Sequence, residues 1–333
     1  MLAAAASYWG LRVYTPEIPS DPGRPGRAIA SLEPIILGGD RQWLLIRGHD
    51  RGAPIVLFLH GGPGMPMMYL AYAFQRPLEN DFLVVQWDRR GAGKSYHAGI
   101  DPAEMRLSQE IADTISLIGD LRARFGAGKI ILVGHSYGST LGILVAQRRP
   151  DLIRAYVGVG QEACDRATEL GLQDRWIADE AHLHDDADAA ALASSGRPYD
   201  REPWLFRYGG EIAGASSFLH LVAIGLRAPE YSLLDAYHVK TGVDFTHSHL
   251  KNDIFRGALI NVVSSLDVPV YFLEGRRDYT VPFACAEAFF DRIRAPQKQF
   301  VWFDRSAHFP FLEEPAKFRE VLNRVATDTA SNP

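Results

Sequence analysis

The chain has 333 residues, 47% of them apolar and 23% charged, with a formal net charge of −5, which is the make-up of an ordinary globular protein. That length exceeds one typical domain but suits a large α/β core carrying an insertion. The acidic balance gives no electrostatic footing for nucleic acid as a partner. Two cysteines, Cys164 and Cys285, are too few for a disulfide framework or a zinc site, and they point to a reducing, cytoplasmic setting.

Met1 to Gly10 is small and apolar but has no basic stretch and no following apolar run. It falls short of the roughly 20 apolar residues that cross a bilayer, so it reads as non-membrane, leaving room for a longer export or membrane segment ahead of it. Residues 14–27 (YTPEIPSDPGRPGR) are rich in proline and glycine, and 1–30 is set aside as an irregular lead-in. Residues 33–37 and 42–47, divided by Gly38-Gly39-Asp40, predict a hairpin. The runs at 54–60 (PIVLFLH) and 82–88 (FLVVQWD) are continuously apolar, as in strands covered on both faces. A helical stretch is expected from about Met67. Over 107–125, Ile111, Ile115, Ile118, Leu121 and Phe125 recur at helical spacing, with Ser108 as expected N-cap and Glu110 and Asp113 near the positive end. Strands alternating with helices predict a mostly parallel sheet flanked by helices.

Residues 129–150 (KIILVGHSYGSTLGILVAQRRP) bring four β-favouring apolar residues into Gly-His-Ser-Tyr-Gly and then a small-residue helix. Strand, G-x-S-x-G, helix is the context of a nucleophile elbow, where only glycine at 134 and 138 avoids the neighbouring backbone. Ser136 then stands at the top of the sheet above the positive end of a helix. After a strand at 153–160 the texture becomes helical and polar, and apolar strand texture returns only at 268–274 (VPVYFLE). A helix at 281–294, a strand at 298–303 and a closing helix from Glu313 follow. The division expected is a core at 31–160 and 266–333 with a mostly helical cap at 161–265.

A serine hydroxyl becomes nucleophilic when a histidine takes its proton and a carboxylate orients that histidine. Asp278, after the strand that resumes beyond the cap, and His308, after the last strand, occupy the places where that acid and base are needed; Glu162 and Asp165 are the competing acids. The backbone N–H of Tyr137 and those of Gly61 and Gly62, in the loop after 54–60, are the candidate oxyanion donors.

HGGPG at 60–64, WDRRGAGKS at 87–95, GHSYGS at 134–139, GRRD at 275–278 and SAHFPFLEEP at 306–315 together resemble the proline iminopeptidase branch of the α/β-hydrolase superfamily. The resemblance covers roughly 33–160 and 266–325. It implies the α/β-hydrolase fold, with Ser136 as nucleophile, Asp278 as acid, His308 as base and Gly61 and Tyr137 as oxyanion donors. Aminopeptidases of that branch bind the substrate amine through cap glutamates, one in an E-N-H-Y-F-type stretch that 161–265 lacks, and tend to have an Arg-Gly pair where this chain has Gly160-Gln161-Glu162. The cap offers Glu162, Glu169, Glu202, Glu211 and Glu230, and the aromatics Trp176, Trp204, Phe206, Tyr208, Phe218 and Tyr231; Glu162, Trp204 and Tyr208 are its candidate substrate contacts. At least half of the aromatics are expected to form the cap's own core.

Gly91-Ala-Gly-Lys-Ser95 lacks the first glycine of a phosphate-binding loop, its place being taken by Asp88. His182, His184, Asp185 and Asp186, or His247 and His249, form no recognised metal-ligand set, and no cofactor is implied. The expectation is a serine hydrolase that cleaves an ester or amide of a small, largely apolar molecule through an acyl-enzyme. Proline iminopeptidase is the alternative, and a slow-turnover ligand receptor on the same fold a second. No nucleic acid or membrane partner is expected.

Overall fold

The computed structural model describes residues 13–19, 23, 25–254 and 258–330, so the Met1–Gly10 segment lies outside the described residues. Eight strands form one sheet: β1 (Ile29–Leu37), β2 (Asp40–Gly48), β3 (Ile55–Leu59), β4 (Leu83–Asp88), β5 (Ile130–His135), β6 (Ile153–Val159), β7 (Val270–Gly275) and β8 (Lys298–Phe303). Their spatial order is β1-β2-β4-β3-β5-β6-β7-β8. The predicted hairpin is antiparallel and turns through Gly38 and Gly39, both at positive φ. β2 meets β4 antiparallel, and every pairing from β4 to β8 is parallel.

The continuous apolar runs are explained by burial on both faces. Ile55, Leu57 and Leu59 of β3 join Ile130 and Leu132 of β5 in one core layer. Val56, Phe58, Ile131 and Val133, alternating with them, join the layer on the other face. Helices α1 (Leu107–Phe125) and α2 (Tyr137–Arg148) follow β4 and β5. Between β6 and β7 the chain leaves the sheet and forms the cap: α3 (Arg166–Leu183), α4 (Ala187–Ala193), α5 (Glu202–Arg207), α6 (Leu219–Gly225) and α7 (Leu233–Ile254). It returns for α8 (Phe283–Arg292) and closes with α9 (Pro315–Asp328).

Two expectations are corrected. α1 starts one residue before Ser108, with Arg106 as N-cap and no side chain capping it. Glu110 and Asp113 turn inward instead of serving the helix dipole: Asp113 accepts from Gln42 (2.9 Å) and Arg90 (3.0 Å), and Glu110 pairs with Arg89 (3.3 Å). The two cysteines, read as too few for a disulfide framework and as a sign of a reducing setting, form a disulfide. Cys164, just past β6, and Cys285, in α8, are brought to a Cα–Cα distance of 5.5 Å across 121 residues of sequence. Spacing along the chain carried no sign of that approach, because β6 and β7 become neighbours only in the sheet.

Trp176, Tyr208, Ile177 and Leu205 form a small core of the cap, while Phe206 and Tyr231 are buried against the layer that includes Phe58 and Val133. Among the described residues, no helix is long and apolar enough to cross a membrane.

Candidate active site

Ser136 sits between the end of β5 and the start of α2 with φ 54° and ψ −127°, a backbone shape that side-chain-bearing residues rarely adopt. The glycines around it permit the turn. A Cβ on Gly134 would lie 2.3 Å from the Gly138 carbonyl oxygen, and one on Gly138 would lie 2.1 Å from that of Leu59. A Cβ on Gly61 would come within 2.9 Å of Ser136 Cβ, so the loop after β3 lies against the serine. Gly61 and Gly62 both face the same cavity as Ser136. Tyr137 is the first residue of α2, which places its N–H among those left unpaired at the helix start; its fully buried phenol donates to Glu110.

The loop after β3 is held from behind. Arg89 donates its Nη1 to the His60 carbonyl (2.6 Å), and the Arg89 backbone N–H donates to His60 Nε2 (3.2 Å). His60 Nδ1, left as the donor, meets the Gly61 carbonyl at 3.0 Å. Arg89 and Arg90 thus act as buried braces, Arg89 on Glu110 and Arg90 on Asp113. From the cap, Thr246 of α7 packs so closely that a Cβ on Gly64 would fall 2.7 Å from its Cβ.

His308 Nδ1 lies 2.8 Å from Asp278 Oδ2, and both side chains are buried. Asp278 Oδ1 accepts the Val281 N–H at 2.9 Å, which fixes the carboxylate. Burial presses the His308 imidazolium down, but the Asp278 carboxylate, with Glu211 and Glu274 beyond it, outweighs burial and holds the group up at about 9. Glu162 is elsewhere, accepting from Thr140 Oγ1 (2.5 Å), and Asp165 caps α3 at the surface. Ser136 and His308 face one cavity of about 420 Å³.

Sequence reading missed how the base loop is fastened. His135 Nε2 donates to the His308 carbonyl (2.8 Å), while burial and the neighbouring His308 hold the His135 ring well below the usual histidine range and so neutral. Glu313 accepts the N–H groups of Ala307 (3.0 Å), Phe309 (3.0 Å) and Ala213 (2.6 Å), tying the base loop to the cap. The run of acids in SAHFPFLEEP was the available signal.

The cap contacts also differ from expectation. Glu162, Trp204 and Tyr208 do not line the cavity: Glu162 is turned toward α2, and the two aromatics stack on each other, with Tyr208 bonded to Asp186. The acids that do line it are Asp200, Glu202 and Glu211. Glu211 accepts from Thr280, its backbone carbonyl receives the His308 N–H at 2.9 Å, and burial raises its carboxyl above the ordinary range. Burial, reinforced by Asp200, does the same for Glu202. Of the two arginines there, Arg201 is occupied by a two-pronged bond to Asp174 (2.8 and 2.8 Å) and Arg166 leans toward Glu169 (3.5 Å). No local motif marks Glu211, because only the fold carries it beside Thr280 and His308. Among the described residues, no group of three or more His, Cys, Asp or Glu side chains is placed to hold a metal.

This combination of sheet order, strained serine and inserted cap defines an α/β hydrolase. The family model for the alpha/beta hydrolase fold matches residues 54–315, and the chain belongs to that family. It is 32% identical over 316 residues to a probable aminopeptidase, YbaC, of Bacillus subtilis (strain 168), covering 90% of this chain and 97% of the relative. The crystal structure of a proline iminopeptidase from Mycobacterium smegmatis superposes with a TM-score of 0.66 at 16% identity, covering 91% and 100% of the two chains. An esterase, RhEst1, from Rhodococcus sp. ECU1013 gives 0.60 at 19% identity, covering 89% and 98%.

Proposed function

We propose that the protein is a serine hydrolase of the aminopeptidase type, releasing an amino acid with a free amine from an amide or ester. The carrying observation is the cavity that holds Ser136 and His308 together with the acids Glu202 and Glu211. With the His308 Nδ1 proton held by Asp278, Nε2 is the basic nitrogen; it takes the Ser136 proton as the oxygen attacks the acyl carbon. The N–H groups of Tyr137 and of Gly61 or Gly62 receive the oxyanion. His308 then protonates the leaving group, and a water activated by the same histidine cleaves the acyl-enzyme.

Glu211 and Glu202 favour a cation. Glu211, desolvated by burial against the pull of His308 and Thr280, and Glu202, desolvated in part, are costly as anions, and an ammonium group brought near them relieves both. This moves the substrate class from the neutral molecule expected from the sequence toward the free amine. A neutral ester is the second reading, favoured by the apolar walls Met65, Leu70 and Phe206. The helices from α3 to α7 act in either reading as the cap that selects a small-molecule substrate. The Cys164–Cys285 bridge supports an oxidising compartment rather than the cytoplasm.

Proline and alanine β-naphthylamides compared with their N-acetyl counterparts test the reading. The free amines should be preferred, and Glu211→Gln should cut the ratio of free-amine to N-acetyl kcat/KM about 10- to 100-fold, a ratio in which any change in His308 cancels, since one to two factors of ten match a charge-assisted contact. Equal or better turnover of the N-acetyl compounds would leave the neutral reading.

A further inference from the structure

A second cavity of about 350 Å³ adjoins the catalytic one, within the range of pockets that enclose drug-sized ligands, about 300–1,000 Å³. Met65, Tyr69, Phe218, Leu221 and Val243 line both cavities, so they form a shared wall. Beyond that wall the lining is Val222 and Gly225 of α6, Leu226 just after it, and Ala236 and Val239 of α7. Apart from the Tyr69 hydroxyl in the shared wall, the polar groups lining this cavity are already engaged. The Tyr231 hydroxyl donates to Asp88, and Lys240 is paired with Asp244 at 2.7 Å on the rim. The chamber therefore has little to offer a hydrogen-bonding ligand and much to offer an apolar one. Val222 and Leu226 are 38% and 65% exposed, so apolar surface there stays in water until something covers it.

We propose that this chamber is the leaving-group subsite: it takes an extended apolar group attached through the scissile bond to the amino-acyl part held near Glu202 and Glu211. The substrate is then an amphipathic molecule, a small aminoacyl head on a long or bulky hydrophobic amine or alcohol. The two ends of the paired cavities are opposite in character, acidic at Glu202 and Glu211 and apolar at Leu226 and Val239, with Ser136 lining the first. This assignment of ends rests on the aminopeptidase reading; the existence of an apolar subsite does not.

Two series separate the claims. Prolyl n-alkylamides from methyl to octyl read the leaving group directly. n-Alkyl acetates from methyl to octyl, which carry the chain on the leaving oxygen and have no amine, read the chamber without the acidic end. In both series kcat/KM should rise roughly three- to fourfold per methylene before reaching a plateau, the gain expected of a buried CH₂. Ala236→Trp, which fills the chamber from the exposed face of α7, and Val222→Asp, which charges it, should each flatten the octyl-to-methyl ratio by tenfold or more. That ratio is taken within each variant, so a general loss of activity cancels. A slope absent from both series, or unchanged in both variants, would overturn the chamber. An acetate-ester slope that the variants flatten, with no turnover of the prolyl amides, would keep the chamber and remove the aminopeptidase reading and the assignment of ends.

Discussion

At the scale of single residues, the proposed set of Ser136, Asp278 and His308 could be picked out of the sequence because each member sits at a strand end. Ser136 follows β5, Asp278 follows β7 and His308 follows β8, and parallel strands deliver their C-terminal ends to one edge of the sheet. Ser136→Ala should lower turnover about 10⁴-fold or more with the fold intact, and Asp278→Asn about 10⁴-fold by favouring the wrong imidazole tautomer. Glu162→Gln, which removes a partner of Thr140, should cost far less in the same assay; a reversed order would move the acid to Glu162. The pH profile follows from His308, which must be neutral to act as base and is held at about 9. With a neutral ester, kcat/KM should climb about tenfold per pH unit and flatten near that value, rather than near the ordinary histidine value of about 6.5. Glu211→Gln removes one of the carboxylates that raise it, so the bend should move down. A bend that stays at the ordinary value in the parent enzyme would mean that burial cancels the pull of the carboxylates around His308. The raised value also means that the folded state holds this proton more tightly than the unfolded chain. It adds stability that is full below about 6.5 and is lost as pH rises through about 9.

At the scale of elements, the core strands could be read from composition because each buries both faces, whereas the cap could be read only as a change of texture. Its helices owe their places to contacts far away in sequence. Tyr231, just before α7, donates to Asp88 at the end of β4, and Asp235 in the first turn of α7 pairs with Lys94 at 2.8 Å. Lys94 also lies 5.2 Å from the Trp43 ring and 5.5 Å from that of Tyr231. The glycine- and lysine-bearing segment 91–95, rejected as a phosphate loop, is thus the core's half of a latch on the cap. The partner residues could not be guessed, since nothing in 91–95 specifies a tyrosine at 231. Burial, against the opposing pull of Tyr231 and Lys94, raises the Asp88 carboxyl to about 7. Tyr231→Phe removes a buried donor and leaves that carboxylate with less support, which should cost about 1–3 kcal/mol. Urea unfolding would read the loss, and it should come with a larger KM, because α7 carries walls of both cavities. Unchanged stability and KM would mean that Asp88 and Tyr231 do not fasten the cap. The elbow is less forgiving: Gly138→Ala brings a methyl within 2.1 Å of a backbone oxygen that cannot swing away, so α2 and β3 must separate. Little soluble, folded enzyme is expected from it.

At the scale of the whole molecule, core and cap are joined by packing, by the latch at 88–95 and by one covalent tie. The Cys164–Cys285 disulfide connects the segment where the chain leaves the sheet to α8 on the far side of the insertion, closing a loop whose ends are 121 residues apart. Two cysteines among 333 residues gave no hint of pairing, because the cue is spatial: β6 and β7 are neighbours in the sheet although the whole cap separates them in sequence. A cross-link around so long a loop restricts the unfolded chain, and such bonds typically contribute about 2–4 kcal/mol. Neither cysteine lines the catalytic cavity, so the effect should fall on stability and spare the chemistry. Reduction with dithiothreitol should therefore lower the melting temperature by several degrees, and Cys164→Ser with Cys285→Ser should reproduce the drop, while kcat at 25 °C changes less than about twofold. The double variant should also become insensitive to dithiothreitol. A parent enzyme whose melting is indifferent to the reductant, and which labels at both thiols before reduction, would show that the bridge does not hold in solution. A loss of kcat equal to the loss of stability would instead tie the bridge to Gly160, four residues before Cys164, where an added Cβ would come within 2.8 Å of the His308 ring.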